Sequence, residues 1–233
     1  LKKKWNPKMS PYVFMEKNKI HIIDLNKTIS KLDEACRSLK QIAKSGKKIL
    51  FVATKKQAKS IVAESAKSLN MPYITERWPG GLLTNFSTIR KSIKKMNSID
   101  TMKEDGTFDT LSKREKLQIE RTREKLELNF GSIENMNRIP EAIFVVDINK
   151  EHIAVAEANK LGMRSYAMVD TNTNPKLVNF PIPANDDSTK SISKIMQIIS
   201  EAIAEGLSER SKTIEEKAKI KQEKAKEILN KDN

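Results

Sequence analysis

Two short apolar runs, residues 49–53 (ILFVA) and 142–147 (AIFVVD), constrain the fold of this chain more than any other feature. Neither alternates with polar residues, as a strand with one wet face would. A near-continuous apolar run of this length suits a strand covered on both faces, and parallel sheets are where both faces are covered. Residues 20–23 (IHII), 165–170 (SYAMVD) and 180–183 also read as strands, and helical patterns fill 27–44, 56–69, 151–161 and 188–205. Strand and helix in alternation predict an α/β fold, an open parallel sheet with right-handed crossovers. Gly46, Gly162 and Gly206 stand where helices are expected to end, and Asn26, Asn149 and Asp187 where they are expected to be capped.

The alternation breaks between residues 85 and 130. Phe86, Ile89, Ile93 and Met96 recur at spacings of three and four, which makes one helical stripe. Asp105-Gly106 marks a turn, and Ile119, Leu126 and Phe130 supply a facing stripe on a second helix. The segment predicts an antiparallel α-helical hairpin whose first arm is about 28 Å long at about 1.5 Å per residue. The expected organisation is a discontinuous α/β domain (1–84 and 131–207), an inserted hairpin (85–130) and a charged tail (208–233), helical or disordered.

Forty-four Lys and Arg against 30 Asp and Glu give a formal charge of +14. Such a surplus attracts polyanions, nucleic acid first. No run of about 18 apolar residues is present, so no spanning helix is expected, and no leader pattern opens the chain. The chain begins at Leu1, which leaves open what precedes it. The one cysteine, Cys36, lies in a helical apolar pattern, can form no internal disulfide, and fits a reducing cytoplasm.

An enzyme that handles a sugar or nucleotide is the main alternative for an α/β sheet. The loop after residue 53 reads TKKQAKS, with no glycine to let a backbone approach phosphate. His21 alternates with isoleucines in a strand and His152 opens a helix, and neither stands in a nucleophile motif. Asp170 and Asn172 close one strand, and Asn185, Asp186 and Asp187 follow the next. Converging strand ends would let these oxygens hold a hard cation such as Mg²⁺. Turn formation and helix capping account for the same residues, and no metal, cofactor or catalytic residue is expected.

The loops are more informative. In order they read KKKWNPKM at the start, RWPGGLLTN (77–85), FVVD (144–147), HIA (152–154), VDTN (169–172) and IPANDD (182–187). This set resembles the bacterial small-subunit ribosomal protein S-two family over nearly the whole chain to about residue 205. The resemblance implies a Rossmann-like α/β domain with an inserted, coiled-coil-like helical hairpin, bound to small-subunit ribosomal RNA between the head and body of the subunit. It also implies one copy per ribosome, neighbouring small-subunit proteins, and a part in docking the messenger-binding protein S-one. Ala184 stands where the family often has glycine. The glycine- and histidine-rich stretch that usually precedes WNPKM is not in this sequence, and the lysine-rich C-terminal segment maps onto no common family feature.

Several residues are candidates for RNA contact. Lys2, Lys3, Lys4 and Lys8 form the densest cluster, and Trp5 among them either stacks on a base or packs on the domain. Lys55 and Lys56 stand at a strand end, either meeting phosphate or solvated. Arg77 and Trp78 adjoin Gly80, Gly81 and Asn85, which form either a tight turn or a close approach to phosphate or protein. Arg90, Lys91, Lys94 and Lys95 would follow an RNA backbone from the hairpin, where eleven Lys and Arg accompany eight Asp and Glu. For each hairpin residue, a merely solvated face is the competing account.

Overall fold

A computed structural model describes the backbone of residues 5–18 and 20–229, with side chains as far as residue 216. Lys2, Lys3 and Lys4 lie outside the described residues. In chain order the elements are β1 (Val13–Lys17), β2 (Ile20–Ile23), α1 (Leu25–Lys44), β3 (Ile49–Val52), α2 (Lys56–Ser68), β4 (Tyr73–Ile74), α3 (Phe86–Glu104), α4 (Lys113–Phe130), β5 (Ala142–Val146), α5 (His152–Lys160), β6 (Arg164–Val169), β7 (Phe180–Pro183) and α6 (Thr189–Leu229).

Five strands form one parallel sheet in the order β4-β3-β5-β6-β7. Every residue of β3 and β5 is buried, because both faces are covered. Successive side chains point to opposite faces. Ile49, Phe51, Phe144 and Tyr166 therefore pack under α1, α2 and α6. Leu50, Val52, Val145 and Ala167 pack on the other side with α5, Trp78, Leu83 and the base of the hairpin, Ile89 and Ile93. The α/β, Rossmann-like class expected from the sequence is the observed one.

Residues 20–23 depart from that expectation. They pair antiparallel with β1 in a separate two-stranded ribbon, where Ile20 and Ile22 are exposed. The hairpin arms meet through the buried stripe Ile89, Ile93, Met96 and Ile99 on α3. On α4 the facing residues Ile119, Leu126 and Phe130 are only half-buried. Gly106 makes the turn in the left-handed region at φ 76°, and Ser112 with Glu115 forms a capping box that starts α4. Arg123 bridges back to Asp100 at 2.8 Å.

Three caps fall on other residues. Asp24, not Asn26, caps α1 by accepting from the Asn26 N–H. Ahead of α5, Asp147 rather than Asn149 accepts from the N–H groups of residues 149 and 150. Ahead of α6, Asn185 accepts from the Asp187 and Ser188 N–H groups. Gly206 ends no helix: α6 runs straight through it. A Cβ there would lie 2.4 Å from the Lys40 carbonyl oxygen. Glycine is needed at that point for α1 and α6 to approach closely, which is a packing requirement and not a turn.

Candidate nucleic-acid interface

The loop between β4 and α3 carries Arg77, Trp78, Gly80 and Gly81, and one carboxylate from α5 holds it. Glu157 is buried and accepts from Trp78 Nε1 (3.0 Å), from the backbone N–H groups of Gly81 (2.7 Å), Leu83 (3.0 Å) and Thr84 (3.1 Å), and from the Thr84 hydroxyl (3.2 Å). Burial pushes the Glu157 carboxyl up, but the hydrogen bonds from Trp78, Thr84, Gly81 and Leu83 outweigh it and hold the group below the ordinary carboxylate range. The converging N–H groups that could have cradled a phosphate are therefore spent on an anion of the protein's own. Gly81 sits at φ +83°, where a side chain would be strained, and Asn85 completes the turn through its N–H to the Gly81 carbonyl. Trp78 is buried, so the tight structural turn is the reading the geometry favours for it.

Arg77 is exposed and has no ion pair or hydrogen bond among the described residues. The same holds for the side chains of Lys8, Lys56, Lys91, Lys94 and Lys95. Lys91, Lys94 and Lys95 share the face of α3 opposite its buried stripe. Arg90 instead donates to the carbonyls of Glu134 and Met136 at 3.2 and 3.3 Å, pinning the loop after α4. A groove between Arg77 and α4 adds Arg114, Arg121 and Lys125, which a sequence reading leaves among generic hairpin charges.

At the C-terminal edge of the sheet, Lys55 lies inside the fold. Its ammonium is 2.6 Å from Asp186, 2.6 Å from Asp187 and 3.2 Å from Asp147. Burial opposes its charge, yet the carboxylates of Asp186 and Asp187 prevail and raise its pKa. Lys55 neutralises carboxylates and offers no surplus charge to a phosphate, unlike exposed Lys56. Asp170, Asp186 and Asp187 bring one oxygen each to within 4.8 Å of one another. The ammonium already lies on two of the three.

Near the N-terminus, Trp5 is half-buried and stacks on His21 with ring centroids 4.9 Å apart, so its packing partner is within the protein. The Asn6 N–H donates to the Thr171 carbonyl at 2.8 Å, tying the WNPKM segment to the end of β6. Cys36 is half-buried, and burial followed by Asp33 pushes its thiol up to about 11, which makes it unreactive. No described helix is long and apolar enough to cross a membrane.

The sequence pattern of the family described as "Ribosomal protein S2" matches residues 1–206. This chain belongs to that family. The "Small ribosomal subunit protein uS2" of Phocaeicola vulgatus is 64% identical over 210 residues, covering 90% of this chain and 75% of that protein. The protein of the same name from Flavobacterium johnsoniae is 64% identical over 208 residues, covering 89% and 82% respectively. The one from Bacteroides fragilis is 61% identical over 210 residues, covering 90% and 76%. The ribosomal protein S2 family is a structural one. Its member here is a structural constituent of the small ribosomal subunit and not an enzyme.

Proposed function

We propose that the chain holds small-subunit ribosomal RNA through exposed cations that have no partner among the described residues: Arg77, Lys56, Lys8 and the α3 triad Lys91, Lys94 and Lys95. The observation that carries this reading is the sorting of charge. Lys55, Arg123 and Lys40 are committed to internal carboxylates, whereas the proposed set is exposed and unpaired among the described residues. Phosphates attract such groups and release counterions on contact, so affinity falls with salt. Arginine grips phosphate with two parallel hydrogen bonds, which makes Arg77 the strongest single contact of the set. Lys2, Lys3 and Lys4 extend the same surplus charge along the sequence. Family membership supports the further reading that one copy per ribosome sits beside other small-subunit proteins in the cytoplasm and helps dock protein S-one.

Sucrose-gradient fractionation of native lysate tests the RNA reading. The protein should migrate with small-subunit particles and move to the top of the gradient after RNase treatment. A free pool that ignores RNase would refute it. Particles depleted of this protein should lose S-one as well; undiminished S-one would remove that part of the reading.

A further inference from the structure

One groove on the surface gathers four cations and no carboxylate. It has a volume of about 950 Å³ and runs between the loop of Arg77 and one face of α4, where Arg114, Arg121 and Lys125 line it. None of the four side chains has a partner among the described residues. Three other hairpin cations are matched, Arg123 with Asp100, Lys103 with Glu120 and Lys116 with Asp109, while Lys91, Lys94 and Lys95 stand unpaired among the described residues on α3, away from this groove. The α4 cations, together with Leu117, recur at helical spacing over about 17 Å of helix.

The groove also has an apolar side. Leu117 is 48% exposed towards one end of the groove, and Pro79 and the half-buried Leu126 and Phe130 also line it, nine and thirteen residues further along α4. Gly80 forms the rim, with nothing within 4 Å of where a Cβ would stand, so the backbone there is open to a ligand. A cationic wall over an apolar floor asks for a ligand that is anionic along one edge and flat and apolar along the other.

We infer that this groove takes a short unpaired stretch of RNA, with phosphates against Arg77, Arg114, Arg121 and Lys125 and a base on the exposed Leu117 side chain between them. The inference rests on the RNA-binding reading above and specifies the structural class of RNA at this surface. An A-form duplex offers its outer edge of phosphate and 2′-hydroxyl and keeps its base faces stacked inside. It would satisfy the arginines but leave the apolar floor against a charged backbone. An unpaired strand can turn a base face inward, and every base has one. Guanidinium groups serve both needs, since they bind phosphate bidentately and stack on base planes. An acidic peptide supplies the charge without the flat apolar face.

Fluorescence anisotropy of the purified full chain, with a short oligouridylate and a hairpin RNA duplex of matched charge over a salt series, tests the inference. Oligouridylate should bind at least about tenfold more tightly than the duplex, the size expected of one base stack. The Arg121→Ala/Lys125→Ala variant should reduce the log–log salt slope for oligouridylate by roughly 0.7 per lost cation. Leu117→Ser should weaken oligouridylate severalfold and leave the duplex unchanged. Circular dichroism verifies that each variant is folded; all three sites are on the outside of α4. Equal or tighter duplex binding, a single-strand preference that survives both variants, or a polyglutamate peptide that competes as well as oligouridylate would overturn it. Sedimentation with small-subunit particles separates this outcome from failure of the broader reading. Particle binding with duplex preference removes the groove inference alone, and no binding to particles or RNA removes both.

Discussion

Glu157 on α5 and Trp78 in the loop before α3, 79 residues apart in sequence, are joined by a 3.0 Å hydrogen bond from the indole to a buried carboxylate. The same carboxylate collects three backbone N–H groups of that loop. One side chain thus fixes where Arg77 and Gly80 stand relative to α4. The candidate interface is held in shape from behind, by a group that faces away from it.

Replacing Glu157 should therefore loosen the interface before it unfolds the sheet. Glu157→Ala leaves buried donors without an acceptor, and the expected loss is about 3 kcal/mol, read as a lowered midpoint in urea unfolding. The folded pKa of Glu157 is depressed below its unfolded value. Its stabilising contribution is consequently complete above the unfolded pKa and disappears as pH falls through the folded one. Wild type should lose stability in acid more steeply than Glu157→Ala; parallel pH profiles would contradict this.

Gly206 is expected to resist substitution. The Lys40 carbonyl oxygen 2.4 Å from an added Cβ belongs to the backbone of α1 and cannot swing aside. Gly206→Ala should destabilise by about 2 kcal/mol through overpacking, despite alanine's helix preference of about 1 kcal/mol. Gly46, where a Cβ would meet only the movable end of Arg210, offers a less crowded comparison, but its φ of +75° adds strain of its own. Denaturant melts of Gly206→Ala and Gly206→Val should show the larger residue losing more.

Legibility in the sequence followed how local each cause was. Residues 49–53 and 142–147 announce buried parallel strands because burial on both faces needs only an unbroken apolar run. β4 has two residues and no periodicity to read. Gly206 misleads because glycine serves both helix ends and close helix contacts, and only α1 packed beside α6 distinguishes them. The WPGG loop stands out by its motif, whereas Glu157 reads as an ordinary outward polar residue of α5. Its role depends on donors 73 to 79 residues away. Lys55 and Lys56 look alike in sequence, and three carboxylates from distant strand ends separate their roles. Arg114, Arg121 and Lys125 look like neighbouring Arg123 until pairing across the hairpin singles out the one that is neutralised.

Lys55→Met should be costly for the fold. It leaves the buried carboxylates of Asp147 and Asp186 without their shared cation, and breaking such a pair from one side costs about 3 kcal/mol or more. Thermal melts of Lys55→Met and Lys56→Met should differ sharply, with the Lys56 variant close to wild type. Similar melts would place Lys55 outside the role assigned to it.

Within the hairpin, Asp100→Asn should cost only about 0.5 kcal/mol, because the Asp100–Arg123 pair is partly exposed and screened by solvent. The variant leaves Arg123 with Glu127 alone, 3.7 Å away, so RNA affinity should hold or rise slightly in filter binding. A marked loss of affinity would mean that α4 needs this bridge for its orientation.

The central claim is that unpaired surface cations bind this protein to small-subunit RNA, and co-sedimentation with small-subunit particles over a salt series measures it most directly. Bound fraction should fall steeply with salt for wild type. The quadruple Arg77/Lys91/Lys94/Lys95→Ala variant should bind more weakly at every salt concentration, with a shallower slope and unchanged unfolding. Wild-type and variant curves that coincide, or binding indifferent to salt, would contradict the account.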